Sequence, residues 1–370
     1  MRILILNWRD IKNPEHGGAE ILTHEMAKRW VAWGHAVTQF SSHFPRASKK
    51  EIIDGVRIIR RGSSMIRSFH IPVHAAAFFW YRLHYSEFDV VIDEIHGIPF
   101  FSTLYARVPV VALICEVAGD LWNVAFSFPG NVIGAAIEKI YFRFYSTTPF
   151  MTISQSSKDE LVTMGVRERR ITVLPMGVSI PKTARVFAKE KNPTLIYVGR
   201  LTRAKGIEDA LITVRSLKRR FPTIRLWIVG SGEPSYLNIL KVQVDQLDVS
   251  DTIQFYGFVG EREKFELLAR AHILIVPSHK EGWGLTIPEA GSVGTPAVGY
   301  NVAGLRDAIV HEQTGILTSS DPAGLGKAVT RLLDDKKLYE LLSKAAEKLA
   351  KTYSWEKTAR SSLRVLEEAL

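Results

Sequence analysis

The chain predicts an α/β protein built from two doubly wound domains, and three observations carry that expectation. Short, β-branched apolar runs alternate with longer segments of helical spacing; the alternation starts afresh near residue 195; and a polar stretch bounded by prolines separates the two halves. Uninterrupted β-branched strands separated by helices indicate a parallel sheet covered on both faces. At 370 residues the chain also exceeds what one core usually organises.

In the first half, strand-length runs fall at Ile3–Leu6, Val37–Phe40, Val56–Ile59, Val90–Ile95, Val108–Ile114, Phe150–Ile153 and Ile171–Leu174. Helical spacing marks Ala19–Trp33, Asn131–Tyr145 and Ser156–Met164. The second half repeats the pattern with Leu195–Gly199, Arg225–Val229, Ile253–Phe258, Ile273–Pro277, Ala297–Tyr300 and Gly315–Thr318. Between them, Pro181 to Pro193 reads as the linker. The expected domains are residues 1–183 and 193–352, facing each other across a cleft, with residues 353–370 forming a last helix.

Composition narrows the function classes. With 46% hydrophobic and 23% charged residues, the chain is an ordinary soluble globular protein. No apolar run reaches the roughly 18 residues of a membrane span. Met1–Trp8 reads as a first strand, not a leader, and a cytoplasmic location is expected. A single cysteine, Cys115, excludes an intramolecular disulfide framework and a Cys-rich metal site. The net charge is +10, and residues 46–82 hold eight cations (Arg46, Lys49, Lys50, Arg57, Arg60, Arg61, Arg67, Arg82) against Glu51 and Asp54. The aromatic run Phe78-Phe79-Trp80-Tyr81 lies within it. This region is expected either to meet an anionic membrane surface, making the protein peripheral to the cytoplasmic membrane, or to be a solvated basic rim beside a core helix. Nucleic acid is not expected as a partner.

Ligands in open parallel sheets bind beyond the carboxyl ends of the strands, so strand-to-helix loops are where chemistry belongs. The most informative is Glu281-Gly282-Trp283-Gly284-Leu285-Thr286-Ile287-Pro288-Glu289, which sets two carboxylates eight positions apart around a helix start. A helix N-terminus suits phosphate, whereas carboxylates accept hydrogen bonds from hydroxyls. A ligand with both groups is a nucleotide sugar. The bland alternative is a capping box, Thr286 to Glu289, in which Glu289 serves its own helix; Glu281 lies outside it.

Three further loops join this one. Arg200 and Lys205 leave opposite ends of Gly199–Gly206 and could grip one diphosphate, or simply be solvated. Gly17 and Gly18 follow the first strand; paired glycines allow close approach or positive φ, but the G-x-G-x-x-G of a dinucleotide site is missing. Gly230-Ser231-Gly232 reads as a structural turn.

Taken in order, these pieces resemble glycosyltransferase family 4, retaining enzymes of the GT-B fold. The resemblance spans nearly the whole chain: Gly17-Gly18-Ala19-Glu20, Ile153–Lys158, Leu174–Val178, Val198-Gly199-Arg200 with Lys205-Gly206, Gly230–Glu233, and above all Glu281 to Glu289. It implies a hexosyl transfer from a UDP- or GDP-linked sugar to a glycan or lipid-linked glycan, as in polysaccharide biosynthesis, with no cofactor and no metal. The first domain would bind acceptor and the second donor, with the C-terminal helix crossing back to the first. By the same resemblance Arg200 and Lys205 hold the diphosphate, Glu281 the sugar and Glu289 the ribose. Gly284, Leu285 and Thr286 would contact phosphate or sugar, Phe258 and Val259 the base, and the Gly17–Gly18 loop would close over the donor.

One departure is visible. Where many members carry a histidine after the Val108–Ile114 strand, this chain has Cys115, then Glu116. The cysteine would pack as a small hydrophobe, with Glu116 or Asp120 taking over the polar contact. His96 is the further acceptor-side candidate. The departure keeps a non-catalytic nucleotide- or partner-binding protein open as an alternative, beside a sugar-nucleotide epimerase of the same fold.

Overall fold

A computed structural model describes residues 1–63, 72–119, 122, 128–180 and 187–370, and the chain divides into two compact units. Met1–Gly177 with Ser354–Leu370 forms one and Val178–Tyr353 the other. Residues 181–186 of the expected linker and Arg67 of the basic stretch lie outside the described residues.

The first unit runs β1 Arg2–Leu6, α1 Gly18–Ala32, β2 Ala36–Ser41, β3 Lys50–Ile53, β4 Val56–Arg60, α2 Val73–His84, β5 Val90–Glu94, β6 Val110–Leu113, α3 Gly130–Tyr141, β7 Phe150–Thr152, α4 Gln155–Thr163 and β8 Ile171–Val173. Its strands lie in the order β3-β4-β2-β1-β5-β6-β7-β8, parallel throughout except for the β3–β4 pair. β1 is central: Leu4 pairs with Thr38 on one side and Val91 on the other, and Ile3–Leu6 are fully buried. One face is filled by Leu4, Phe40, Trp80 and Tyr81 from β1, β2 and α2, the other by Ile114, Tyr141, Phe142 and Phe150.

The second unit runs β9 Thr194–Val198, α5 Ile207–Lys218, β10 Arg225–Val229, α6 Pro234–Gln246, β11 Ile253–Gly257, α7 Glu261–Arg270, β12 Ile273–Val276, α8 Thr286–Ser292, β13 Ala297–Tyr300, α9 Leu305–Ala308, β14 Gly315–Thr318, α10 Pro322–Asp334 and α11 Lys336–Ala350. These strands are all parallel, in the order β11-β10-β9-β12-β13-β14. The last helix, α12 Trp355–Ala369, belongs to the first unit. It buries Trp355, Ala359, Val365 and Leu366, and Trp30 of α1 donates its indole N–H to the Ala359 carbonyl at 3.0 Å.

Both sheets reverse winding direction beside their first strand, between β1 and β5 and between β9 and β12. At such a switch point the following loops splay apart and leave a crevice at the carboxyl ends of the strands.

Three details differ from the sequence expectation. β3 is an antiparallel edge strand that short, half-exposed Lys50–Ile53 did not signal. The helix expected over residues 131–145 tightens at Phe142 into a 3-10 turn. Of the aromatic run, Trp80 and Tyr81 are core residues, and Arg60 is fully buried against Asp10, its Nε donating at 2.7 Å. The basic stretch is therefore partly structural. No helix among the described residues is long and apolar enough to cross a membrane.

Candidate active site

At the second unit's switch point, the loops after β9 and β12 bring together residues 76 positions apart in sequence: Lys205 Nζ donates to Glu281 Oε2 at 2.6 Å. The approach depends on Gly206. Its φ of +65° is open to glycine, and a Cβ there would lie 1.9 Å from the Pro277 carbonyl at the end of β12. Glu281 is fixed from the far side as well, since a Cβ on Gly304 (φ +78°) would meet the Glu281 carbonyl at 2.1 Å. Arg200, from the same loop as Lys205, is exposed and makes no ion pair among the described residues; its carbonyl accepts from Tyr197 Oη at 2.9 Å.

The second carboxylate has a different environment. Glu289 is buried, with Oε1 accepting from Lys264 Nζ at 2.9 Å and Oε2 without a partner. Burial raises its pKa, against the opposing charge of Lys264. The lysine itself is pulled down by burial but held above its ordinary value by Glu289 and Glu261. The capping-box alternative is corrected here. The helix begins at Thr286 with Leu285 as cap residue and no side-chain cap, and the Glu289 carboxylate is spent on Lys264. Gly284 is buried with φ +84°, Leu285 and Thr286 are half-buried, and helical bonding begins with the Ile287 amide, which donates to Gly284 at 2.9 Å. Amides before that point lack intrahelical partners.

Two neighbouring loops complete this edge. Gly230 is a structural turn as expected: its N–H donates to Gly257 at 2.8 Å, and a Cβ would lie 1.9 Å from the Gly199 carbonyl. Just beyond β11, Phe258 is 75% exposed, an aromatic face open to a ligand, and Val259 is half-buried beside it.

The first unit's switch point is also polar. Glu94, at the end of β5, is fully buried; its Oε2 accepts from Asn7 Nδ2 at 2.7 Å and from Thr23 Oγ1 at 2.6 Å. His96 Nε2 lies 3.0 Å from Glu94 Oε1, and the imidazole stacks on Trp8 at 5.2 Å between centroids. Burial works against the charged imidazole, but the hydrogen bond and charge of Glu94, with Glu20 adding, raise its pKa. Gly17 and Gly18 adopt no positive φ; Gly17 is extended and donates its N–H to Glu20 Oε2 at 2.6 Å. A side chain at Gly18 would meet nothing within 4 Å, so that approach is open. Cys115 is half-buried, its thiol pushed well up by burial and by the charges of Glu94, Glu116 and Glu20. Glu116 is half-buried beside it, and Asp120 lies outside the described residues.

Residues 16–181 match the family model described as Glycosyltransferase Family 4, and residues 180–349 match Glycosyl transferases group 1. The chain belongs to glycosyltransferase family 4. Among relatives of this family 4 protein is a glycogen synthase of Mycobacterium tuberculosis, 27% identical over 99% of this chain and 94% of that one. A D-inositol 3-phosphate glycosyltransferase of Acidothermus cellulolyticus is 27% identical over 96% and 86%. Solved structures establish the GT-B fold. Sucrose-phosphate synthase from Thermosynechococcus elongatus aligns with a TM-score of 0.83 at 18% identity, over 99% of this chain and 98% of that one. Anabaena HepE, solved in complex with UDP-glucose, aligns at 0.78 and 17% over 100% of both chains. The family 4 chain is a glycosyltransferase.

Two polar residues of this glycosyltransferase escaped sequence reasoning. Lys264 sits among Glu261, Arg262 and Glu263 and reads as a solvated helix face. Glu94 ends a strand, Val90–Glu94, and an acid at the end of a run this apolar was the available signal.

Proposed function

We propose that the chain moves a hexosyl group from a UDP- or GDP-linked sugar to a hydroxyl of a glycan or lipid-linked glycan. The donor's α configuration is retained and no metal is required. The observation that carries this reading is the Lys205–Glu281 contact of 2.6 Å at the second unit's switch point, with Arg200 beside it and unpaired among the described residues. As the bond between the anomeric carbon and phosphate lengthens, negative charge collects on the diphosphate. Arg200 and Lys205 supply the countercharge, Arg as a fork and Lys as a point. Glu281 steadies the sugar hydroxyls, and the open Glu289 Oε2 receives a ribose hydroxyl. Backbone from Gly284 to Thr286 lines the phosphates, and exposed Phe258 with Val259 holds the base. His96, oriented by Glu94, is the first acceptor-side candidate in the first unit, and Glu116 is the second.

The test begins with a thermal-shift screen of UDP-, GDP- and ADP-sugars; HepE's complex with UDP-glucose supports starting with UDP. A donor at 100 times its Kd stabilises by about 2.7 kcal/mol. Turnover in Arg200→Ala and Lys205→Ala is then expected to fall about 10²–10³-fold each, and chelation with EDTA to leave wild-type turnover unchanged. Near-normal rates in both variants, or a chain that neither binds nor transfers any donor, would overturn the assignment.

A further inference from the structure

Helix α3 has the charge pattern of a buried helix but lies at the surface. Its inner face is Gly134, Glu138 and Tyr141, all buried. Its outer face presents Ile133, Ile137 and Ile140, continued by Phe144 in the 3-10 turn, at 53%, 42%, 55% and 48% exposure. These positions form one stripe at helical spacing. Val132 and Phe128 widen it. A helix apolar all round is ordinarily covered on every side.

The apolar surface continues beyond the helix. The Phe144 ring meets Phe101 at 6.5 Å, exposed Leu104 follows, Tyr105 meets Phe78 at 5.0 Å, and α2 then exposes Phe79 and Leu83. The segment bearing Leu104 is fixed from beneath, because buried Asp93 accepts from the backbone amides of Phe100 and Ser102 at 3.0 Å each.

Charge identifies the occupant. Segments 72–86, 97–114 and 128–149 contain one acid, Glu138. That acid points inward, accepting from the Ala118 and Gly119 amides at 2.8 Å each and from the Trp122 indole at 2.9 Å. The exposed charges are Arg82, Arg107, Lys139 and Arg143, all positive. A second copy of this chain would set cations against cations across an isologous contact. An anionic bilayer complements the surface, taking the apolar stripe into its interface and the cations at its headgroups.

We propose that the outer face of α3, with exposed Leu104, Phe79 and Leu83, docks the first unit onto an anionic lipid surface. This shifts the centre of the membrane contact from residues 46–82, where the sequence first suggested it, to α3, and keeps only Phe79 and Arg82 of that stretch. The inference uses the first unit's surface alone and stands apart from the donor assignment.

Vesicle flotation of the full chain tests it, with phosphatidylcholine vesicles made with and without phosphatidylglycerol. Wild type is expected to float with the anionic vesicles and to be released by high salt. Ile133→Glu/Ile137→Glu, at exposed positions and melting like wild type, is expected to lower partitioning more than about tenfold. Lys139→Gln/Arg143→Gln, which keeps the apolar stripe, is expected to lower it about fivefold per cation on anionic vesicles only. Absence of wild-type binding, or binding by both variants equal to that of wild type, overturns the proposal. So does a light-scattering dimer that the Ile133→Glu/Ile137→Glu variant abolishes without any vesicle association, which would make this face a contact between copies.

Discussion

Replacing Lys264 by methionine keeps the aliphatic stem and removes the charge facing Glu289. Both side chains are nearly enclosed, at 13% and 8% exposure, so the carboxylate would be left without a counterion. Deleting one partner of a buried pair costs about 3–5 kcal/mol. The lower end applies here, because Glu289 can take up a proton, and Lys264's other partner, Glu261, is 67% exposed and contributes little. For a domain this size, 3 kcal/mol corresponds to a fall in Tm of about 6–12 °C. The pH dependence has a definite sign. Burial raises the Glu289 carboxyl above the ordinary glutamate value, so its ionisation opposes folding as pH rises past that value. Without Lys264 the folded value rises further, and the deficit should shrink as pH is lowered from 7.5 toward 5. Thermal and urea unfolding of Lys264→Met, Glu289→Gln and the double variant at both pH values measures this. The double variant, having no stranded charge, should recover most of the loss. A deficit below about 1 kcal/mol, one independent of pH, or a double variant no better than the single, would refute the buried-pair argument.

Three other perturbations probe separate links. Gly206→Ala places a methyl against the Pro277 carbonyl at a left-handed φ, and should cost more than about 2 kcal/mol while weakening donor binding in calorimetry; normal affinity would show that the loop does not set Lys205. Trp355→Ala removes a buried anchor of α12 and should destabilise the first unit by about 3–5 kcal/mol in denaturant unfolding. For His96, raised by Glu94, NMR titration should give a pKa above 6.5 that falls in Glu94→Gln. Because a raised imidazole stabilises below its unfolded pKa and loses that contribution as pH rises through the folded one, this variant should lose more stability at pH 6 than at pH 8.

Much of the architecture was legible because strands and loops are local. The run Leu195–Gly199 followed by Arg200 and Lys205 announces a strand and a cationic turn within a few residues, and the carboxylates at 281 and 289 frame their own helix. What stayed hidden depends on contacts across the sheet. Lys264 looks solvated until the order β11-β10-β9-β12 brings α7 beside Glu289. Asn7 and Glu94 are 87 positions apart and meet only because β1 and β5 are neighbours. β3 is too short and too exposed to leave an apolar pattern. The capping-box alternative was locally sound, and a lysine from another helix overrode it.

Gly177 and Trp355 almost touch: a Cβ added to the glycine would lie 2.3 Å from the tryptophan amide nitrogen. The polypeptide therefore leaves the first unit and comes back at a single doorway, and everything in between is a guest inserted into a host. Excising that guest and splicing the two sides of the doorway with a few glycines should yield a small autonomous α/β protein. The same doorway marks a place where a different guest could be grafted without unpicking the host's sheet.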